Sequence, residues 1–222
     1  MKTFKVLSLL LSYPEVELFA AAADELADAI REERLLPAAQ ARAVEGFIDA
    51  LATLDPLDAQ ERYVALFDRN RSLSLHLYEH VHGESRDRGQ AMVELTAVYR
   101  LHGIEIGAAE LPDYLPLFLE FLSLLPLKAA SSLLSDAVHV IAALRARLEE
   151  RDSPYAAIMG AVEALAAKPA ERLAVEEVLA MLKPEDDALE ALDRQWEEEA
   201  VRFAVADGPD RASVAAGCGG QR

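Results

Sequence analysis

Hydrophobic residues recur every three or four positions along most of this 222-residue chain. That spacing places them on one face of an α-helix. A short buried helix from Phe4 to Leu11 is expected to stop before Pro14, which cannot continue it. The pattern predicts further helices over residues 15–34, from 37, from 56 through 67, and over 86–101, 115–125, 127–151, 154–167, 175–182 and 185–199.

Several helix ends carry recognisable boundary residues. Asp55 and Pro56 fit the N-cap and the first helical position, and Ser85 is predicted to cap the helix beginning at Arg86. Gly103 suits the left-handed residue that ends this helix. Asp113 is expected to cap the next one. These signals predict where one helix gives way to another.

Composition supports one fold class. Ala, Leu, Glu and Arg dominate, only three Thr occur, and hydrophobic residues make up 52% of the chain. Helices favour these residues, whereas strands favour β-branched and aromatic ones. We predict an all-α, single-domain helical bundle over residues 1–206, followed by a disordered tail rich in Gly and Ala over 207–222.

The net charge of −17, from 39 acidic and 22 basic residues, limits the possible partners. Binding of nucleic acid requires a basic face, and an anionic membrane surface attracts basic segments. The acidity therefore argues against both and favours a cationic partner. Residues 185–199 hold eight of the acids and one base, which we interpret as a solvated helix face.

Location can also be predicted. The longest apolar run, residues 115–127, is shorter than the roughly 20 residues that span a bilayer. Pro14 and Glu15 interrupt the apolar start of the chain in a way that signal peptides do not show. The single cysteine, Cys218, suits a reducing compartment. We expect a soluble, cytoplasmic protein that does not insert into a membrane.

Residues 75–95 concentrate most of the candidate chemistry. His76 and His80 would share a helix face, so a metal-dependent helical enzyme that also uses His82 is one hypothesis. No cysteine joins these histidines, which makes a metal-free site the favoured interpretation. Ser85 follows a Gly-Glu pair as in a nucleophile elbow, but no strand precedes it. The chain also lacks both glycine-rich phosphate-binding motifs.

The alternative is an interaction surface. Residues 69–100 hold five bases and four acids, so this segment is nearly neutral in a strongly acidic chain. Glu84, Arg86, Asp87 and Arg88 can form an ion-pair network that braces two helices, or can recognise a bound peptide. The density of histidine, arginine and carboxylate beside glycine favours a binding surface.

Three segments resemble one protein family. They are Tyr63-Val64-Ala65-Leu66-Phe67, the run from Tyr78 to Met92, and Pro112 to Phe121. The second is similar to the signature of the NarJ family, the assembly chaperones of respiratory nitrate reductase, which belong with the TorD and DmsD-like proteins. One departure is Tyr114, which stands where many members of the wider group have histidine. A role for a titratable imidazole at that position is therefore in doubt.

The resemblance implies an all-helical cytoplasmic chaperone and not an enzyme. It implies binding of the apo catalytic subunit of a membrane-bound nitrate reductase, through a basic, amphipathic N-terminal peptide, until the molybdenum cofactor is inserted. We expect no resident cofactor and no metal, and a monomer or a dimer. A chaperone for another molybdoenzyme, such as a dimethyl sulfoxide or selenate reductase, is the alternative.

The predicted client-binding groove joins residues 78–92 with residues 113–120. Its candidate residues are Tyr78, Glu79, His80, His82, Glu84, Arg86, Asp87, Arg88, Gln90, Asp113, Tyr114 and Glu120. Because histidine titrates near neutral pH, we also expect the affinity for the client to depend on pH.

Overall fold

The computed structural model describes residues 1–82, 85–107 and 110–182, and its regular elements within these ranges are all helical. This confirms the all-α prediction. The predicted helix 185–199, the domain end at residue 206 and the tail 207–222 lie outside the described residues. The helices are α1 (Lys2–Leu10), α2 (Val16–Glu33), α3 (Ala38–Thr53), α4 (Pro56–Tyr63), α5 (Leu77–His82), α6 (Arg86–Leu101), α7 (Leu115–Ser123), α8 (Leu127–Glu150), α9 (Tyr155–Ala164) and α10 (Arg172–Met181).

Helix α1 lies at the centre of the bundle. It packs against α7, α2 and α9, and Phe4, Leu7 and Leu10 are almost completely buried. Their three-residue spacing turns them toward the same neighbours. Burial of a large apolar side chain stabilises the fold by about 1.5–3 kcal/mol. The apolar start of the chain therefore builds the core, as its pattern predicts.

Helix α8 is long and apolar enough to cross a membrane, judged by length and composition alone. In the structure it packs against α9 and α10 and also contacts α5 and α7. Leu134, Ile141 and Leu144 are fully buried in these contacts. A helix that other helices cover on several sides needs apolar residues on each of those sides. Its apolar character is thus accounted for by the bundle.

Several predicted boundaries are confirmed. The carboxylate of Asp55 accepts a 2.9 Å hydrogen bond from the N–H of Leu57, which caps α4. Helix α6 has the predicted bounds, and Gly103 follows it with a φ of +77°. The N–H of Ile104 then reaches back to the Tyr99 carbonyl at 3.0 Å, which satisfies a terminal carbonyl. Ser85 occupies the N-cap position of α6, but its side chain makes no capping hydrogen bond.

The prediction that Asp113 caps α7 is wrong. Tyr114 occupies the N-cap position, and no side-chain hydrogen bond caps this helix. The carboxylate of Asp113 instead faces α5, as described below. Helix α7 also ends at Ser123, before Leu125, because the chain turns there ahead of Pro126.

Two later boundaries also differ from the prediction. Helix α9 ends at Ala164 rather than near 167, and α10 begins at Arg172 rather than at 175. The N–H of Ala167 donates to the carbonyl of Ser131 in α8, so α9 stops where the chain bonds to another helix.

Two short elements were not predicted, and the end of the helix predicted from residue 56 takes a π-helical form. Val64–Asp68 continues α4 as a π-helical turn, Arg71–Leu73 forms one 3₁₀ turn, and α5 spans six residues. None is long enough to show a repeated hydrophobic period. Helix α5 nevertheless carries Tyr78 and His80, so the position of the predicted site depends on it.

Candidate functional site

The two segments that the sequence predicts to share a binding face meet only at their starts, where residues 75–77 lie beside residues 113–115. The N–H of Leu77 donates to the carbonyl of Asp113 at 3.0 Å, and the N–H of Leu115 donates to the carbonyl of Leu75 at 2.8 Å. His76 and Tyr114 lie between these bonds as one antiparallel bridge, with ring centres 5.3 Å apart. The starts of α5 and α7 are thereby fixed to each other.

Asp113 is the polar centre of the junction between the starts of α5 and α7. Its side chain is 0% exposed. Its carboxylate accepts a 3.1 Å hydrogen bond from the N–H of Tyr78 and lies 3.2 Å from Nδ1 of His76. Nη2 of Arg88 in α6 is 3.9 Å away. A buried carboxylate is tolerated only when its charge is compensated and its oxygens are bonded. Asp113 therefore caps α5 and links it to α6.

His80, a predicted client-binding residue, is buried with 5% exposure. Its Nε2 lies 2.6 Å from the carbonyl of Ser74, so this nitrogen carries the proton and donates it. Burial lowers the pKa of His80, although the Ser74 carbonyl and the charge of Glu79 oppose that shift. A neutral imidazole thus braces α5 from inside.

Glu79 lies on the same helix and is half-buried. The hydroxyl of Ser74 donates to its carboxylate at 2.7 Å, and Nη2 of Arg71 is 3.4 Å away. Partial burial disfavours the charged carboxylate, but the Ser74 hydrogen bond and the charge of Arg88 outweigh it and hold the pKa of Glu79 below its ordinary value. Glu79 is therefore ionised and engaged within the protein.

The three clustered histidines do not converge on one point. His76 bonds to Asp113, His80 bonds to the Ser74 carbonyl, and His82 sits with its ring 5.7 Å from that of Tyr78. Among residues 1–82, 85–107 and 110–182, no group of three His, Cys, Asp or Glu side chains could hold a metal ion. The geometry gives no support to the metal-dependent hypothesis.

Tyr114 faces the interior of the bundle. Its hydroxyl lies 3.1 Å from that of Tyr63, which in turn donates to the carbonyl of Leu11 at 3.0 Å. Burial, and the charges of Asp68 and Glu110, raise the pKa of Tyr114. An aromatic side chain at this position therefore joins α1, α4 and α7.

The remaining predicted residues take separate positions. Arg86, Asp87 and Gln90 are exposed on the first turns of α6, and Glu120 pairs with Lys5 of α1. Glu84 lies outside the described residues.

An apolar groove of about 260 Å³ opens beside α5. Helices α5, α6 and α8 form its walls, and Phe118 of α7 lies in its floor. Tyr78 is the one predicted site residue in its lining. The groove is lined by Leu77, Tyr78, Val81, Glu94, Leu95, Val98, Phe118, Leu133, Asp136, Ala137 and Val140.

The groove's α6 wall is held at both ends by polar contacts. Arg88 reaches Asp113, and the buried hydroxyl of Tyr99 donates to the carbonyl of Pro112 at 2.7 Å. Leu95 and Val98, between these anchors, are only partly buried and turn toward the groove. These residues were not predicted as part of a site, although half-exposed apolar residues on an otherwise polar helix are a readable signal.

Tyr78 also brings polar character to the groove. Burial raises the pKa of its phenol, and the charges of Asp113, Glu94 and Asp136 raise it further. The hydroxyl therefore stays protonated and can donate a hydrogen bond. Apolar walls with a few hydrogen-bonding and anionic groups suit reversible binding of a polypeptide segment.

Comparison with known proteins identifies the family of this chain. Residues 17–159 match the family described as nitrate reductase delta subunit. The chain is 44% identical over 211 residues to the nitrate reductase molybdenum cofactor assembly chaperone NarJ of Escherichia coli K12, covering 95% of this chain and 89% of that protein. It is 40% identical over 205 residues to NarW of the same organism, a probable chaperone of the same description, covering 91% and 84%.

A more distant relative covers less of the chain. The probable nitrate reductase molybdenum cofactor assembly chaperone NarJ of Bacillus subtilis is 33% identical over 163 residues, covering 71% of this chain and 84% of that protein. The likeness thus extends across species and takes in α5, α6 and the Asp113 junction. This protein belongs to the nitrate reductase delta subunit family.

Proposed function

We propose that this protein is an assembly chaperone of a respiratory nitrate reductase, which binds the apo catalytic subunit while the molybdenum cofactor is inserted. The observation that carries the proposal is 44% identity, over 95% of the chain, to a nitrate reductase molybdenum cofactor assembly chaperone. The protein acts by binding and not by catalysis. The molybdenum cofactor is cargo of the client and is not held here as a resident group.

The segment that we propose as the ligand is the N-terminal peptide of the catalytic subunit, bound as an amphipathic helix. The groove between α5, α6 and α8 supports this choice because it is concave, apolar and bordered by helices. A helix that lays its apolar face into such a groove is a recurrent mode of peptide recognition. The net charge of −17 favours a basic segment.

The predicted site residues divide between contact and support. We assign contact with the client to Tyr78 in the groove and to Arg86, Asp87 and Gln90 on the exposed start of α6. Support is assigned to the buried or internally bonded members, which hold α5 and α6 in place. These are Glu79, His80, Arg88, Asp113 and Tyr114.

Two other predicted site residues, His82 and Glu120, have less direct roles. His82 lies beside Tyr78 and is half-buried, so we place it at the rim of the groove. Glu120 is paired with Lys5 and would contact only a client that extends along α7.

Binding takes place in the cytoplasm, before the enzyme joins its membrane partners. Release then follows from competition, since the client's own folded core claims the segment that the chaperone held.

The test is calorimetric titration of the full chain with a synthetic peptide of the catalytic subunit's N-terminal segment. An Ala137→Trp variant fills the groove from α8, and an Ala50→Trp variant places the same side chain on the exposed face of α3. We expect the first to lose at least about tenfold in affinity and the second to bind normally.

A corresponding peptide from a dimethyl sulfoxide reductase serves as the specificity control and is expected to bind more weakly. Absence of binding by the nitrate reductase peptide, or a preference for the other peptide, would refute the proposal. So would fully cofactor-loaded nitrate reductase in cells that lack this protein.

A further inference from the structure

We propose that Glu94 of α6 and Asp136 of α8 determine which segment the groove accepts, by pairing with basic side chains on the two flanks of a bound helix. This inference rests on the proposed function and names the feature of the client that is recognised. Neither residue belongs to the segments that resemble the family signature, and each comes from a different wall of the groove.

The two carboxylates flank the same apolar lining. Glu94 stands beside Leu95 on α6, and Asp136 beside Ala137 on α8. Both are exposed at the rim, whereas Phe118 in the floor is buried. Both also contribute to the raised pKa of Tyr78, so their charges act at one phenol between the walls. A helix lying on the apolar floor would pass between them.

Their charges are not neutralised within the described part of the chain. Glu94 accepts a 2.9 Å hydrogen bond from Nε2 of Gln90, which is uncharged, and no basic side chain of the described residues pairs with Asp136. Other carboxylates of the bundle are paired, as Glu163 is with Arg145 at 2.9 Å. Two unpaired anions beside an apolar surface attract a cation that arrives with apolar side chains.

The arrangement selects for one kind of amphipathic helix. Lysine and arginine have long aliphatic stems, which can lie along the apolar wall while the charged end reaches a rim carboxylate. A helix with acidic residues on its flanks would meet repulsion from both walls. This electrostatic repulsion discriminates among clients more strongly than the apolar floor can, because the floor accepts the apolar face of any amphipathic helix.

The experiment is titration of Glu94→Gln, Asp136→Asn and the double variant with the N-terminal peptide, at low and high salt. Glu61→Gln and Asp49→Asn are matched controls, since both residues are exposed and neither lines the groove. We expect each groove substitution to weaken binding roughly fivefold, and the double variant to show a smaller dependence on salt.

Peptides in which single basic residues are replaced by glutamine complete the measurement. If Glu94 or Asp136 contacts a given basic residue, removing both partners costs less than the sum of the single losses. Binding of the double variant as tight as that of the controls would overturn this inference and leave the proposed function standing. Failure of the unaltered protein to bind the peptide would instead refute the proposed function, and this inference with it.

Discussion

The carboxylate of Asp113 accepts a 3.1 Å hydrogen bond from the backbone N–H of Tyr78, 35 residues earlier in the chain. Tyr78 lies in the groove, whereas Asp113 is completely buried behind it. The first turn of α5 therefore takes its cap from the loop that precedes α7. A completely buried residue thus fixes the position of one that lines the groove.

Replacement of Asp113 by alanine should destabilise the protein strongly. The change leaves the N–H of Tyr78 without its acceptor and the guanidinium of Arg88 without its ion-pair partner. Loss of one partner of a buried charged network costs about 3 kcal/mol or more. Urea unfolding monitored by circular dichroism measures the difference from the unaltered protein.

The Asp113→Asn variant separates the roles of charge and hydrogen bonding. An amide oxygen can still accept from Tyr78 but does not compensate Arg88, so we expect a smaller loss of about 1–2 kcal/mol. Asp49→Asn, on the exposed face of α3, should remain within about 0.5 kcal/mol of the unaltered protein. Equal stability of Asp113→Ala and Asp49→Asn would contradict the assigned role.

The pH dependence of stability should report His80. Burial holds its pKa below the ordinary value of 6.5 in the folded protein, so the unfolded chain binds more protons in the interval between these two pKa values. Stability therefore falls as the pH drops below about 6.5, until the pH reaches the lowered pKa of the folded state. The free energy of unfolding at pH 7.5, 6.5 and 5.5 provides the measurement.

A His80→Gln variant should show a flatter profile in this window, whatever its absolute stability. His102→Gln is the control, because His102 is exposed at the end of α6, and it should keep the original slope. The lowered pKa of Glu79 acts in a different window, since its stabilising charge is lost only as the pH falls below about 4.5. An unchanged slope in the His80 variant would refute the assignment.

The hydroxyls of Tyr63 and Tyr114 should contribute non-additively to the free energy of unfolding. Tyr63 donates to the carbonyl of Leu11, and Tyr114 donates to Tyr63. Tyr63→Phe leaves a buried carbonyl without this donor and should cost about 1–2 kcal/mol, and Tyr114→Phe should cost about 1 kcal/mol or less. Because Tyr114 loses its acceptor when Tyr63 is changed, the double variant should cost less than the sum. Strict additivity in chemical unfolding would contradict this chain of hydrogen bonds.

Sequence periodicity predicted the long helices because each buries a repeated apolar face. Helix α6 has both predicted ends, since Ser85 and Gly103 mark them locally. Helix α5 was missed, because its six residues contain no full repeat and its cap comes from Asp113. Local spacing cannot indicate a hydrogen bond that closes over 35 residues.

The predicted client-binding residues divide between the surface and the interior of the bundle. Clustering of polar residues around α5 pointed to the segment, yet His80 and Asp113 proved to be buried. Glu94 and Asp136 gave no such signal, because each stands alone on an ordinary helical face. Only the packing of α6 and α8 on α5 places them beside one groove.

Two glycines should respond to alanine in opposite directions. Gly46 lies within α3, and a methyl group there would meet nothing within 4 Å. Gly46→Ala should therefore stabilise the protein by about 0.5–1 kcal/mol, because alanine loses less conformational entropy in a helix. Gly103 has equally open space but a φ of +77°. There alanine should cost about 1–2 kcal/mol, the penalty for a left-handed backbone.

These two substitutions distinguish the effect of steric space on stability from the effect of backbone conformation, since the space around both positions is open. Midpoints of urea unfolding should move up for Gly46→Ala and down for Gly103→Ala, with unchanged denaturant slopes. An upward shift for Gly103→Ala would show that α6 does not end at Gly103 through a left-handed residue, and a downward shift for Gly46→Ala would contradict the helix-propensity argument.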